Sequence, residues 1–157
     1  MAFDWQTGTT ILFGGATPSG QKFSDTWVWR NGWYQVTPAT SPPARQGPGM
    51  VWDGASGNIV LFGGLDMHGA FLNDTWLWNG RNWIQQFPLV SPPGRLLDGE
   101  GMTYDAATHT VVLFGGTNGV NVCLADTWTW DGIAKTWTQH FPTTNPSPRR
   151  TLDRLRA

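Results

Sequence analysis

The sequence predicts an all-β chain built from three copies of one four-stranded unit, and three observations predict it. The chain of 157 residues contains 11 Trp and 20 Gly. Each indole can bury roughly 150–250 Å² and needs a wall of neighbours to do so. No stretch repeats apolar residues at i, i+3, i+4 and i+7 for long enough to make a helix, whereas Gly and Pro punctuate many short extended runs. Finally, the chain repeats itself. ILFGG ending at Gly15 returns as VLFGG ending at Gly64 and Gly116, and Asp25-Thr26-Trp27 returns as Asp74-Thr75-Trp76 and Asp126-Thr127-Trp128. Successive copies are 49 and 52 residues apart, and Met1, Met50 and Met102 each precede the first Gly of the pair by 13 positions. A register this constant means three copies of one structural unit.

Each unit divides into four strands. The first is Ala2-Phe3-Asp4, matched by Met50 to Asp53 and Met102 to Asp105. A Gly-, Ser- or Thr-rich turn leads to the second, apolar throughout at 11–13, 59–62 and 111–114, which predicts burial on both faces. In the third strand Trp27 and Trp29, Trp76 and Trp78, and Trp128 and Trp130 are separated by one residue, so both rings of a pair leave the same sheet face. A tight turn at Asn31-Gly32, Asn79-Gly80 or Asp131-Gly132 precedes a fourth strand around Trp33, Trp83 or Trp137. Four antiparallel strands in this order make a meander.

The paired glycines Gly14-Gly15, Gly63-Gly64 and Gly115-Gly116 after an apolar strand, the spaced aromatics that follow, and the period near 50 residues together resemble the kelch repeat family. The resemblance covers nearly the whole chain. It implies a β-propeller of kelch type, with three four-stranded blades at about 1–37, 49–87 and 101–141, the first strand of each beside a central channel. The chain then reads as a single domain over 1–157, with Pro-rich links between the blades and a C-terminal tail at 143–157. The Asp-Thr-Trp-x-Trp variant is similar to bacterial kelch proteins related to the galactose oxidase propeller. Within such a blade the motif residues have structural roles. The glycines allow backbone angles closed to other residues and close approach of a neighbouring blade. Asp25, Asp74 and Asp126 are expected to accept hydrogen bonds from turn amides, and Trp27, Trp76 and Trp128 to fill the space between blades.

Charge narrows the partners. The formal charge is -1 and the pI about 6.2, with ten scattered Lys and Arg, so no footprint for nucleic acid or an anionic membrane is present. No apolar run approaches a membrane span and no signal peptide is visible. The expectation is a soluble chain that carries no address. Cys123 stands alone and excludes an intrachain disulfide.

Propellers have four or more blades, and an arc of three would leave two apolar blade faces in water. Arg150-Thr151-Leu152-Asp153 aligns with Arg95-Leu96-Leu97-Asp98, so Ala157 falls where the next blade's Met would stand, although the charged 154–157 lacks the glycines of 99–101. Two chains placed head to tail would close a homodimeric six-bladed ring. The alternatives are a piece of a longer kelch chain, or another oligomer.

Two sets of residues are candidates for binding. The segments 16–24, 65–73 and 117–125 are long and, with the Pro-rich links, are expected on one side of the meander. They carry Gln21, Lys22 and Phe23; Asp66, Met67, His68, Phe71 and Leu72; and Asn118, Val120, Asn121 and Val122. The second set is the arginine after each link: Arg45, Arg95, and Arg149 or Arg150. A ring of guanidiniums can hold a carboxylate or phosphate. Alternatively, each Arg bridges blades through carbonyls or the Asp of a neighbouring Asp-Thr-Trp.

Nothing marks a catalyst. His68, His109 and His140 occupy unrelated positions in their units, no pair has metal-ligand spacing, and no nucleophile or phosphate-loop motif is present. Tyr34, Tyr104 and Cys123 do not reproduce the copper site of galactose oxidase. Asp66, Asp98 and Glu100 are the remaining acid-base candidates, with nothing that tunes them. The sequence therefore points to a non-catalytic module without cofactor or metal that binds a protein or peptide. A carbohydrate-binding or carbohydrate-active propeller is the second reading.

Overall fold

A computed structural model describes residues 1–98, 101–119 and 122–149. Val120, Asn121, Glu100, Arg150 and the tail from 151 onward, all named above, lie outside them.

The chain forms three antiparallel four-stranded sheets. The first blade contains β1 (Ala2–Asp4), β2 (Thr9–Phe13), β3 (Thr26–Trp29) and β4 (Trp33–Val36). Two residues of the following link, β5 (Arg45–Gln46), lead into the second blade: β6 (Gly49–Asp53), β7 (Asn58–Phe62), β8 (Leu65–Asp66), β9 (Thr75–Trp78) and β10 (Trp83–Gln86). The third contains β11 (Met102–Asp105), β12 (Thr110–Phe114), the loop strands β13 (Thr117–Gly119) and β14 (Val122–Cys123), then β15 (Thr127–Asp131) and β16 (Thr136–His140). Each sheet is a simple meander: β1-β2-β3-β4, β6-β7-β9-β10 and β11-β12-β15-β16. The first strands lie side by side, β1 next to β6 and β6 next to β11.

Register explains the repeat. Leu61 pairs with Trp76 and Ile59 with Trp78, as Leu113 pairs with Trp128 and Val111 with Trp130. The two tryptophans of each Asp-Thr-Trp-x-Trp therefore share a face with the apolar second strand. Across the first seam Trp76, Trp78 and Trp83 meet Ala2, Ile11 and Phe13 of the blade before. Across the second, Trp128, Trp130 and Trp137 meet Val60, Phe62 and Leu77.

The first-to-second-strand turns are closed by carboxylates that the sequence reading left without a role. Asp4 accepts from the amides of Gln6 and Thr7, Asp53 from Ala55, and Asp105 from Ala107. Each is the last residue of a first strand.

One expectation needs correction. Of the three second strands, β7 alone is buried on both faces along its apolar run. In β2 and β12 buried and half-buried residues alternate, because among the described residues the outer blades have one neighbouring blade each. Trp33 is accordingly 45% exposed, where its counterpart Trp83 is 0% exposed.

Candidate functional site

The long loops and the link ends meet at one edge of the sheets. Arg45 and Gln46 pair with Asp66 and Leu65, and Leu96 pairs with Thr117. Each loop is strapped in the same way. The amides of Phe23, Leu72 and Leu124 donate to Gly15 O, Gly64 O and Gly116 O. The carbonyls of the same three residues accept from the amides of Arg45, Arg95 and Arg149. The paired glycines permit this crossing. Gly64 sits at φ +104°, and a Cβ there would stand 2.9 Å from Gln46 O of the link that arrives from the first blade.

These straps place the third arginine of the series at Arg149. Arg45 and Arg95 are both fully buried. Arg45 Nη1 and Nη2 grip the Asp74 carboxylate at 2.5 and 2.7 Å, Nη1 also donates to Gly63 O at 3.0 Å, and Nε donates to Pro43 O at 3.0 Å. Arg95 repeats the set on Asp126, Gly115 O and Pro93 O. These are contacts that bridge one blade to the next. Arg149 is exposed and holds Ser147 through Nε and Nη2.

The carboxylates of the Asp-Thr-Trp motifs are not turned to turn amides, as the sequence suggested. Each accepts the indole N–H two residues on, Trp27, Trp76 or Trp128, at 2.6 to 2.7 Å, because alternation puts residues i and i+2 on one face. Burial raises the Asp74 and Asp126 carboxyls. The hydrogen bonds and charge of Arg45 and Arg95, with the indole N–H groups, outweigh it and hold both below the usual carboxylate range. The Thr in the middle of the motif also has a partner: Trp83 Nε1 donates to Thr26 Oγ1 at 3.0 Å and Trp137 Nε1 to Thr75 Oγ1 at 2.9 Å. Its recurrence in all three copies was the available signal.

The loop tips differ from one another. In the second blade the Asp66 carboxylate accepts from the amides of His68 and Ala70, which pulls its pKa down, Ala70 being the larger cause. Met67 and His68 project into solvent, while Phe71 and Leu72 are half-buried under the strap. In the first blade Gln21 is exposed and Lys22 and Phe23 are half-buried. In the third Asn118 and Val122 are exposed. Among the described residues no group of three His, Cys, Asp or Glu is placed to hold a metal ion, and no helix is long and apolar enough to cross a membrane.

A concavity of about 350 Å³ opens between the first strands, away from the loop tips. Phe3, Trp52 and Tyr104 line it from the same position of each blade, and Trp5 stands edge-on to Phe3 with ring centroids 4.9 Å apart.

The family model described as KLHDC2/KLHL20/DRC7 Kelch-repeats domain matches residues 3–154. The chain belongs to the kelch-repeat family. Kelch-repeat domains generally mediate protein–protein interaction and are typically non-catalytic. In this kelch chain the paired glycines, the Asp-Thr-Trp motifs and the link arginines are the joints of an all-β repeat array, and the loop tips are what the array carries. No curated protein matches the chain.

Proposed function

We propose that this kelch chain is a non-catalytic binding module that presents its loop-and-link edge to a protein or peptide partner. Residues 1–157 act as one domain, half of a six-bladed ring completed by a second copy. The observation that carries the binding reading is the contrast along that edge. Three loops are strapped by the same pair of backbone hydrogen bonds, yet their tips expose unlike side chains: Gln21, then Met67 and His68, then Asn118 and Val122. A rigid frame with variable tips is how recognition surfaces are commonly built.

The ring reading is supported by the flanks. The first blade exposes Trp29 and Trp33 on the face whose counterparts, Trp78 and Trp83, are buried against the blade before. Burial of such rings is strongly favoured. Two copies give six blades, inside the usual range of about four to eight, and three copies would exceed it.

The test is selection of displayed random peptides on the wild-type chain, followed by measurement on a variant carrying Gln21→Ala, Met67→Ser, His68→Ser and Val122→Ser. The selected peptides are expected to lose about tenfold or more in affinity. Peptides that bind the variant equally well, or capture of immobilised glycans in place of peptides, would overturn the reading.

A further inference from the structure

Each internal seam is made by the same four contacts. At the first, Arg45 grips Asp74, Trp83 donates to Thr26, the Trp83 ring meets Phe13 at 5.2 Å between centroids, and Gln46 O closes over Gly64. At the second, Arg95 grips Asp126, Trp137 donates to Thr75 and meets Phe62 at 5.1 Å, and Leu96 O closes over Gly116.

One half of this set is left over on each outer flank. On the third blade, Arg149 is strapped by its own backbone bonds to Leu124 and Gly116, and its Nε donates to the residue two before it, as Arg45 and Arg95 do. Its guanidinium is exposed, and no carboxylate among the described residues pairs with it. Thr127 and Phe114 are half-buried where Thr26, Thr75, Phe13 and Phe62 are buried. On the first blade, Asp25 is oriented by Trp27 Nε1 as Asp74 is by Trp76, but no described arginine reaches it. Trp33 is exposed, and a Cβ at Gly15 would meet nothing within 4 Å.

We propose that these flanks are the two halves of a third seam, closed in trans by a second copy of this chain. Arg149 of one copy grips Asp25 of the other, and Trp33 of that second copy donates to Thr127 and meets Phe114 of the first edge to face, as Trp83 meets Phe13. A cation, a hydroxyl acceptor and a ring on one flank match an anion, an indole donor and a ring on the other, in one common register. An unrelated partner would have to supply that set separately for each flank. Two copies related by a two-fold axis form the seam twice. The inference rests on the two-copy ring proposed above and assigns its contacts.

The test uses two full-length variants, Arg149→Glu and Asp25→Lys, measured by sedimentation velocity alone and as an equimolar mixture. Alone, each juxtaposes like charges at both seams, and its dimer is expected to weaken by ~100-fold or more. Mixed, the two restore opposite charges at both seams, so a heterodimer is expected where neither variant self-associates. Among the described residues the Arg149 side chain hydrogen-bonds only to Ser147 and is exposed, so its variant should keep the wild-type near-UV circular dichroism. If Asp25→Lys does not fold, the mixture is omitted and Phe114→Glu, on the same flank as Arg149, is measured alone beside Arg149→Glu; it is likewise expected to be monomeric, and a Phe114→Glu dimer as tight as wild type would overturn this seam. A wild-type chain that stays monomeric at ~100 µM would overturn the ring itself. A wild-type dimer unaffected by Arg149→Glu, or no heterodimer in the mixture, would overturn this seam and leave the ring standing.

Discussion

Replacing Arg45 by Met removes the side chain that joins the first link to the second blade while keeping most of its volume. The buried guanidinium makes two hydrogen bonds to Asp74 and one each to Gly63 O and Pro43 O. Truncating one partner of a buried pair costs about 3–5 kcal/mol because the other charge is stranded. The Asp74 side chain keeps about 20% exposure and retains the Trp76 indole N–H, so water can reach it and the low end of that range, ~3 kcal/mol, applies. The two carbonyls that lose their donors add about 1 kcal/mol. A total near 4 kcal/mol corresponds to a Tm about 8–16 °C lower for a domain of this size. Urea unfolding followed by Trp fluorescence, at one fixed protein concentration because association shifts apparent stability, measures it. The double variant Arg45→Met with Asp74→Leu should recover part of the loss. A single variant within ~1 kcal/mol of wild type would refute the view that this bridge holds the seam.

Three further outcomes follow from the same contacts. Thr75→Val keeps the shape of a buried residue but strands Trp137 Nε1, and should cost about 1–3 kcal/mol in denaturant titration. Gly64→Ala combines φ +104° with a backbone oxygen 2.9 Å from the new methyl, whereas Gly8→Ala has φ +67° and open space; the first should lower Tm by several degrees more than the second. For pH, Asp74 and Asp126 have folded pKa values below their ordinary ones. The stability they contribute is complete above the unfolded value of about 4 and is lost as pH falls through the depressed folded values. Half-buried Asp66 and Asp105 shift in the same direction. Acid titration of unfolding should therefore be shallower below pH ~4 in Arg45→Met than in wild type.

The strands were legible because their signals are local. An apolar run ended by two glycines can only be a strand that turns sharply, and a Trp-x-Trp pair reports its own period. Phe62, Phe114 and Trp78 landed in the strands expected of them. The joints were less legible because their partners are far apart in sequence. Arg45 and Asp74 are 29 residues apart, Trp83 and Thr26 are 57, and only the stacking of one sheet on the next brings them together. The link arginine was compatible with a ligand ring or a bridge until that stacking was known. Asp before a strand usually caps a turn, which is why the sequence points the motif carboxylates at turn amides. Hydrogen bonds from turn amides are instead accepted by Asp4, Asp53 and Asp105 at the ends of the first strands, and by Asp66 and Asp131. The alternation in β2 and β12 was also invisible, since a sequence window does not say whether a neighbour covers the second face.

The identity of the two internal seams has a bearing on how such a chain can change over time. Every blade carries a plug on one side and a socket on the other, cut to the same pattern, so any blade can follow any other without redesign. Duplication or loss of a whole unit preserves each junction, because an array of this kind is held by nearest-neighbour contacts. Alteration of one junction residue is felt wherever that blade is placed. The loop tips take no part in the fitting, so they are free to diverge unit by unit while the number of units grows or shrinks.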